Sequence, residues 1–163
     1  MTYKRKISKR IQKIVDVTPP QPVCFDLCCD HGLIGFWMAE KKKAQKIVFV
    51  DQVPHITFAL EKRCEQFANF PFEVHTLDAR EVNITAACNV IIAGVYTSTV
   101  LDIATNIAKG AQTSFQLICC PHSDDALLRE NLEERGYHFD TKEAVSEKGK
   151  TFYIYRFRFE VNS

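Results

Sequence analysis

The sequence lacks the features that would assign it to several specialised classes of protein. It contains no run of about 18 apolar residues, the length that a membrane-spanning helix needs, so we predict no membrane span. Its basic start is not followed by an apolar segment, so we expect no secretory signal. It also has no internal repeat or low-complexity stretch. We therefore expect a single domain over residues 1–163, in which a basic helix and linker (1–20) precede the core (21–163).

The chain has no C-x-x-C pair, although it contains seven cysteines. An odd number of cysteines without a predicted signal indicates reduced thiols and a cytoplasmic protein rather than a disulfide framework. The alternative is a metal site, whose ligands would come from Cys28, Cys29, His31, Cys119, Cys120 and His122. We favour no structural metal, because adjacent cysteines point to opposite faces of a strand and structural zinc sites use short, regular spacings.

Acidic residues are absent from the first thirteen positions, where basic residues are concentrated. The candidates for binding an anionic substrate there are Lys4, Arg5, Lys9, Arg10 and Lys13. Residues 1–50 carry ten basic and four acidic side chains, whereas the whole chain has a formal net charge of +1. This asymmetry favours contact with phosphates, and the alternative is an ordinary solvated helix face. Nothing in the pattern indicates an oligomeric state.

Strand and helix signals alternate along the chain. Strands are predicted at 23–27, 46–50, 72–76, 90–93 and 115–119. Helices are predicted at 7–15, 33–42, 53–68, 97–108 and 124–135, the last with Ser123 as its N-cap. Segments 141–145 and 151–161 flank the turn-like residues 147–150 and predict an antiparallel hairpin. The pattern predicts an α/β, Rossmann-like fold: a mainly parallel sheet with helices on both faces and a hairpin at its C-terminal edge.

Acidic residues stand at the ends of three successive predicted strands. Asp26 lies in the first strand, while Asp51-Gln52 and Asp78-Ala79 follow the second and third. Ligands of open parallel sheets bind beyond the carboxyl ends of the strands, where Asp51 can accept ribose hydroxyls and Asp78 an adenine amino proton. Taken singly, Asp51 and Asp78 could merely turn the chain, but Asp26 lies in an apolar run and needs partners there. The combination predicts a nucleoside site.

The loop after the first strand separates two cofactor classes. A dinucleotide loop requires G-x-G-x-x-G, and here its first two glycine positions are Cys28 and Asp30. Asp30 would repel a pyrophosphate, whereas a sulfonium cofactor carries no phosphate. The loop therefore favours S-adenosylmethionine over NAD.

Several motifs resemble the bacterial tRNA adenine N1-methyltransferases of the TrmK type. The segments that carry the likeness are Asp26-Leu27-Cys28-Cys29-Asp30-His31-Gly32, Ile7-Ser8-Lys9-Arg10-Ile11, Ile92-Ala93-Gly94, Leu128-Arg129 with Gly136-Tyr137, and Gly149-Lys150-Thr151-Phe152-Tyr153. The resemblance implies a seven-stranded class I methyltransferase sheet and methyl transfer from S-adenosylmethionine to adenine N1 in tRNA. It implies that the cofactor is held by Asp26, Cys28 to Gly32 (which includes Asp30 and His31), Asp51, Asp78, Ala93 and Gly94.

The sequence departs from this family on the substrate side. Val95-Tyr96-Thr97 replaces the family's Met-Gly-Gly, and Cys120-Pro121-His122 replaces its Gln-Pro-Asn. Cys28 stands where glycine is usual, and the family's C-terminal helical arm has no counterpart before Ser163. The predicted catalytic residues are Asp30, which would balance the charge of the methylated base, and Tyr96 and His122, which would hold that base. The alternatives for the latter two are a core aromatic and a helix-entry histidine.

Two other functions stay open at this point. The altered segments after the fourth and fifth strands also suit a methyltransferase that acts on a small molecule or a protein. Cys28 and the lost glycines also suit a non-catalytic relative that binds cofactor or RNA.

Overall fold

The computed structural model describes residues 2–124 and 126–162. Its α-helices are α1 (Lys9–Val17), α2 (Leu33–Glu40), α3 (Pro54–Cys64), α4 (Thr97–Gly110) and α5 (Leu128–Glu134). Its strands are β1 (Gln21–Leu27), β2 (Ala44–Asp51), β3 (Phe72–Thr76), β4 (Cys88–Ala93), β5 (Phe115–Cys120), β6 (Tyr137–Glu147) and β7 (Lys150–Phe159). Short 3-10 turns lie at Glu65–Phe67 and Ala79–Glu81. No helix of the described residues is long and apolar enough to cross a membrane.

The strands form one sheet in the order β3-β2-β1-β4-β5-β7-β6. The first five strands in this order pair in parallel, and β7 runs antiparallel to both β5 and β6. Leu27 of β1 is in register with Val50 and with Ile92, so the carboxyl ends of the central strands lie at one edge. The prediction of a mainly parallel, seven-stranded sheet with a C-terminal antiparallel hairpin is confirmed.

Successive residues of the strands contribute to two apolar cores. In β2, Phe49 packs in the cluster that contains Phe36 of α2 and Leu60 of α3. Its neighbours Val48 and Val50 pack in the cluster formed with α4 and α5. Strands buried on both faces explain the continuous apolar runs in the sequence. The prediction of helices on both faces is confirmed.

The start of α5 differs from the prediction. The sequence predicts a helix from residue 124 with Ser123 as N-cap, but α5 begins at Leu128 and its N-cap is Leu127, without a side-chain capping bond. Asp124 is instead held by β6 and β7, because it accepts hydrogen bonds from Lys142 Nζ at 3.3 Å and from the Tyr155 hydroxyl. These bonds draw the chain after β5 towards the hairpin, so the Ser123 prediction is wrong.

The turn of the hairpin has the geometry that its sequence predicts. Lys148 and Gly149 have φ of 49° and 74°, the left-handed pair that tight two-residue hairpins use. The first strand is longer than the predicted 141–145, since β6 runs from Tyr137 to Glu147. The second begins one residue before and ends two residues before the predicted 151–161, since β7 is Lys150–Phe159. The predicted helix over 53–68 ends as an α-helix at Cys64, before the 3-10 turn.

Candidate functional site

Asp26 anchors the first loop of the site from inside the sheet. Its side chain is 2% exposed, and its Oδ2 accepts a hydrogen bond from the backbone N–H of Gly35 at 2.9 Å. A Cβ at position 35 would lie 2.3 Å from the Phe49 ring, so only glycine lets α2 pack this close to the sheet. Burial raises the pKa of Asp26 to about 7, the N–H of Gly35 opposes this shift, and nearby Asp51 adds to it. This carboxylate is therefore sensitive to any positive charge bound beside it.

The loop after β1 bends sharply by using left-handed residues. Cys28, Asp30 and Gly32 have φ of 53°, 48° and 70°. For a residue with a Cβ this conformation costs on the order of 1–2 kcal/mol, and such strain concentrates at functional sites. A Cβ on Gly32 would lie 2.6 Å from Leu60, so this glycine is required for packing beneath the loop. We predicted Gly32 as a cofactor contact, and the structure places it in a packing role at the start of α2.

Asp51 ties together the loops after β1 and β2. One oxygen accepts the backbone N–H of Asp30 at 3.2 Å, and the other accepts that of Val53 at 3.0 Å. The residue is 9% exposed and its neighbour Gln52 is exposed beside it. The carboxylate thus has a fixed orientation at the point where the two loops meet.

Asp78 faces a cation that the sequence analysis missed. The guanidinium of Arg80 pairs with the Asp78 carboxylate at 2.6 Å and reaches Asp102 of α4 at 3.2 Å. The hydrogen bonds from Arg80 hold the pKa of Asp78 below its usual range. The signal available in the sequence was a basic residue two positions after the strand-end acid. Asp78 also caps the following 3-10 turn, since its Oδ1 accepts the backbone N–H of Arg80 at 2.9 Å.

Two cavities meet along the carboxyl edge of the sheet. The first, of about 330 Å³, is lined by Cys28, Val50, Asp51, Gln52, Val53, Leu77, Asp78, Ala79, Arg80, Val95, Thr99, Asp102 and Ile103. The second, of about 240 Å³, is lined by Arg10, Ile11, Asp26, Cys28, Cys29, Asp30, His31, Leu33, Ile34, Ala93, Gly94 and His122. Cys28 lines both cavities, so they form one elongated site. Apart from Gly32, each predicted cofactor residue lines one of these cavities.

The ends of β4 and β5 form the mouth of the second cavity. Gly94 has φ of 75° and donates its N–H to Cys120 O at 3.1 Å, and a Cβ there would meet no atom within 4 Å. The backbone N–H of His122 donates to Val95 O at 2.9 Å. The rings of Tyr96 and His122 meet edge to face with centroids 5.3 Å apart, and Tyr96 is 68% exposed. The structure therefore brings these two predicted residues together at an open surface.

Asp30 and His31 line the same cavity as His122. Both side chains are exposed, and His31 Nε2 lies 3.8 Å from an Asp30 oxygen. Arg63 of α3 donates to the carbonyl oxygen of His31 and so holds this part of the loop from behind.

The predicted basic residues of the N-terminal segment have different surroundings. Arg10 lines the second cavity and stacks over the Phe152 ring at 4.9 Å. Lys13 pairs with Glu143 of β6 at 3.2 Å, while Lys4, Arg5 and Lys9 are exposed. Of this set, Arg10 is the residue that joins the basic segment to the site.

The thiols near the site are not arranged as metal ligands. Burial raises the pKa of Cys28 to about 11, and nearby Asp51, Asp26 and Asp78 act in the same direction. Burial also raises the pKa values of Cys29 and Cys119, so these thiols stay protonated near neutral pH. Among residues 2–124 and 126–162, no group of three His, Cys, Asp or Glu residues is placed to hold a metal ion.

Comparisons with known proteins agree with this geometry. A family model described as a methyltransferase domain matches residues 7–155. The fold resembles TrmK, a tRNA methyltransferase of B. subtilis, with a TM-score of 0.83 and 20% identity over 94% of this chain and 67% of that one. It also resembles M. capricolum TrmK in complex with S-adenosyl-homocysteine, with a TM-score of 0.76 and 14% identity over 94% and 69% of the two chains.

A third solved structure belongs to a protein with a different substrate. Magnesium protoporphyrin IX methyltransferase from Synechocystis PCC 6803, with bound SAM, has a TM-score of 0.69 and 14% identity over 93% of this chain and 79% of that one. No curated protein matches the sequence significantly. The family model covers most of the chain, and the fold and the site geometry agree with it. The chain therefore belongs to the methyltransferase domain family.

Proposed function

We propose that this protein transfers a methyl group from S-adenosylmethionine to N1 of an adenine in tRNA. The observation that carries the proposal is the convergence of Asp26, Asp51 and Asp78 on two joined cavities at one edge of the sheet. We further propose that residues 1–163 act as one domain in the cytoplasm, where the thiols stay reduced.

The donors and acceptors of the first cavity match a nucleoside. Asp51 is positioned to accept the ribose hydroxyls, since its carboxylate lies at the junction of the two loops. The Asp78 carboxylate would accept a hydrogen bond from the adenine amino group, and Ala79, a small residue, lies beside it. Apolar contacts from Val53 and Ile103 suit the two faces of a flat base. A cavity of about 330 Å³ is within the range of ordinary ligand pockets.

The charge of the site favours a cation and disfavours a phosphate. Asp26, Asp30 and Asp51 line the two neighbouring cavities, so a pyrophosphate bound there would face three carboxyl groups. When bound, S-adenosylmethionine supplies a methyl group on a positively charged sulfur, and this group needs no further activation. Asp26 is buried and its pKa is raised to about 7, so a cationic ligand would stabilise its ionised form.

The mouth of the second cavity would hold the methyl acceptor. Tyr96 and His122 present two adjacent rings to solvent, and such rings stack on an unpaired base. N1 of adenine carries a lone pair, so it requires alignment rather than deprotonation before it attacks. The exposed carboxylate of Asp30 lines this cavity and would stabilise the positive charge of the methylated base.

A methyltransferase of small molecules or proteins is the second candidate. Tyr96 and His122 occupy the segments in which the TrmK-type motifs have Met-Gly-Gly and Gln-Pro-Asn. The similar fold of the Synechocystis protein shows that this architecture also serves a porphyrin substrate. The acceptor assay below separates the two candidates.

Methyl transfer to RNA tests the proposal directly. Purified protein is incubated with methyl-labelled S-adenosylmethionine and bulk tRNA, and the digested RNA is analysed for 1-methyladenosine. We expect label in this nucleoside and its loss in the Asp30→Asn variant. Label in another nucleoside would contradict the adenine assignment, and label in no RNA would favour the second candidate. Cofactor binding without transfer to any acceptor would identify a non-catalytic relative.

A further inference from the structure

The β6–β7 hairpin extends beyond the edge of the sheet that carries the site. The last pair between β5 and β7 is Cys119 with Tyr155, and β5 ends at Cys120. Four more β6–β7 pairs follow, from Ala144 with Tyr153 to Glu147 with Lys150. At about 3.3 Å per residue, this two-stranded ribbon projects roughly 13 Å past β5. We name residues 144–153 the hairpin arm.

Helix α1 supports one side of the hairpin arm. Glu147 Oε1 accepts the backbone N–H of Lys9 at 2.9 Å, and Glu143 at the base of the arm pairs with Lys13 at 3.2 Å. Arg10 stacks over Phe152 at 4.9 Å. An isolated two-stranded ribbon is marginally stable, so these contacts are what give the arm a defined position.

The loop after β5 contacts the other side of the hairpin at the base of the arm. Asp124 of this loop pairs with Lys142 Nζ at 3.3 Å and accepts a hydrogen bond from the Tyr155 hydroxyl, and Lys142 lies 4.4 Å from the centroid of the Tyr153 ring. Asp124 is two residues after His122, which lines the second cavity. The base of the arm therefore lies between α1 and the β5 loop, and Arg10 and His122 of these two segments line the second cavity.

The arm and α1 together form a basic surface. Residues 4–17 and 144–153, which cover the basic segment, α1 and the arm, contain eight basic and two acidic side chains. Of the two acids, Glu147 accepts the backbone N–H of Lys9, and Asp16 lies in the last turn of α1. Lys150 lies 4.9 Å from the Phe152 ring centroid, as does Arg10, so one aromatic ring contacts two cations. Basic side chains that alternate with aromatic rings are typical of surfaces that follow an RNA backbone.

We propose that the hairpin arm and α1 form a docking surface for the phosphate backbone of a folded RNA. The inference rests on the proposed function, because it takes the RNA to be the methyl acceptor. Arg10 joins the two features, since it lines the second cavity and also stacks on the arm. An RNA held along this surface would present a nucleotide to Tyr96 and His122.

The surface fits RNA better than an anionic membrane. Proteins that lie on membranes insert exposed apolar side chains between the lipids. Within the described chain, the exposed large hydrophobic residues are Phe58, Tyr96, Leu127 and Val161. None of these four lies on the arm or on α1. The basic side chains there would therefore bind phosphates without an apolar anchor.

The test compares two double variants of equal charge change. Lys148→Gln with Lys150→Gln alters the tip of the arm, whereas Lys42→Gln with Lys109→Gln alters exposed lysines after α2 and at the end of α4, at the opposite edge of the sheet. Affinity for bulk tRNA is measured by fluorescence anisotropy at several salt concentrations. We expect the arm variant to bind about five- to tenfold more weakly, with a salt slope smaller by about 1.5. The control variant is expected to lose less than twofold.

Three outcomes would overturn the proposal. These are equal losses in both variants, no loss in the arm variant, or binding of phosphatidylserine vesicles as tight as that of tRNA and equally dependent on Lys148 and Lys150. Absence of any tRNA binding would overturn it as well. Calorimetry with S-adenosylmethionine should give the same affinity for both variants and the wild type, which shows that the site is intact.

The same variants separate this proposal from the proposed function. If tRNA binds through the arm but is never methylated, the docking surface stands and the assigned reaction fails. If the arm variant methylates tRNA with an unchanged kcat/KM, the reaction stands and the docking surface fails.

Discussion

The cofactor half and the acceptor half of the site are built in different ways. In the cofactor half, Asp26 is 2% and Asp51 is 9% exposed, and backbone N–H groups fix both carboxylates. In the acceptor half, Tyr96 is 68% exposed and its ring contact is with His122, itself at the surface. The fold therefore fixes the side chains of the cofactor half. The side chains of the acceptor half could change without cost to the core. The methyltransferase fold alone cannot specify the acceptor for this reason.

Asp51→Ala tests the cofactor half and should have the largest effect. Loss of a hydrogen-bonding carboxylate costs about 1.5–3 kcal/mol of binding free energy. We expect the upper end of this range, because Asp51 also holds the N–H groups of Asp30 and Val53. Calorimetry with S-adenosylmethionine measures the loss, and Asp102→Asn at the rim of the same cavity serves as the control. An unchanged dissociation constant would remove Asp51 from the site.

Asp26→Asn should change stability and binding in opposite directions. The folded-state pKa of Asp26 is about 7, whereas an unfolded Asp titrates near 4. Between about pH 4 and 7 the folded protein keeps a proton that the unfolded chain has lost, so stability falls as the pH rises through this window. The asparagine variant lacks this titration and can still accept the N–H of Gly35. We therefore expect its Tm without cofactor to exceed that of the wild type by roughly 2–6 °C at pH 8.

Cofactor binding should instead favour the wild type over the Asp26→Asn variant. A positively charged ligand favours the ionised carboxylate, so Asp26→Asn should bind S-adenosylmethionine about tenfold more weakly at pH 8, or about 1.4 kcal/mol. Thermal unfolding at pH 5 and pH 8, with and without cofactor, measures both effects. At pH 5 the difference in Tm without cofactor should be smaller than at pH 8, because only part of the titration window has been crossed. A variant that is less stable at pH 8, or that binds the cofactor as tightly as the wild type, would contradict this prediction.

Replacement of Tyr96 by alanine tests the acceptor half. Stacking of a base on an aromatic ring contributes about 1–3 kcal/mol of binding free energy. We expect the lower end of this range, because Tyr96 is exposed and would contact the base on one face only. We expect kcat/KM for tRNA to fall about fivefold to tenfold, with cofactor affinity unchanged. Tyr96→Phe keeps the ring and should retain most of the activity, which separates stacking from a role of the hydroxyl. Loss of cofactor affinity in Tyr96→Ala would show that the two halves are not independent.

The sequence predicts where the strand-end acids lie, because the signals for strands and turns are local. Two of the apolar strands are followed by an acidic residue. Because the strands are parallel, Asp51 and Asp78 lie at the same edge of the sheet. The hairpin turn is equally local, since Lys148 and Gly149 adopt the backbone conformation that short turns require. The five parallel strands also begin and end within two residues of their predicted ranges.

Long-range contacts account for what the sequence analysis missed. The start of α5 depends on Asp124, whose partners Lys142 and Tyr155 lie 18 and 31 residues away. The hairpin arm depends on α1, which lies more than 130 residues earlier in the chain. The sequence analysis predicted Gly32 as a cofactor contact and missed its packing against Leu60 and Phe49. None of these partners is visible in a local pattern.

The sequence analysis also missed Arg80, and its replacement should have the smallest effect of the four. Its guanidinium connects Asp78 at the end of β3 to Asp102 of α4, in a pair exposed to solvent. Solvent screens exposed ion pairs, so we expect Arg80→Leu to weaken cofactor binding only about two- to threefold. Arg80 also holds the Asp78 carboxylate in place through hydrogen bonds to both of its oxygens, so the variant should lose discrimination between S-adenosylhomocysteine and its inosine analogue, which lacks the amino group. Arg129→Leu, which breaks an exposed pair with Glu133 away from the cavities, is the matched control. Equal discrimination in the Arg80 variant and the wild type would show that Asp78 does not need Arg80 to recognise the base.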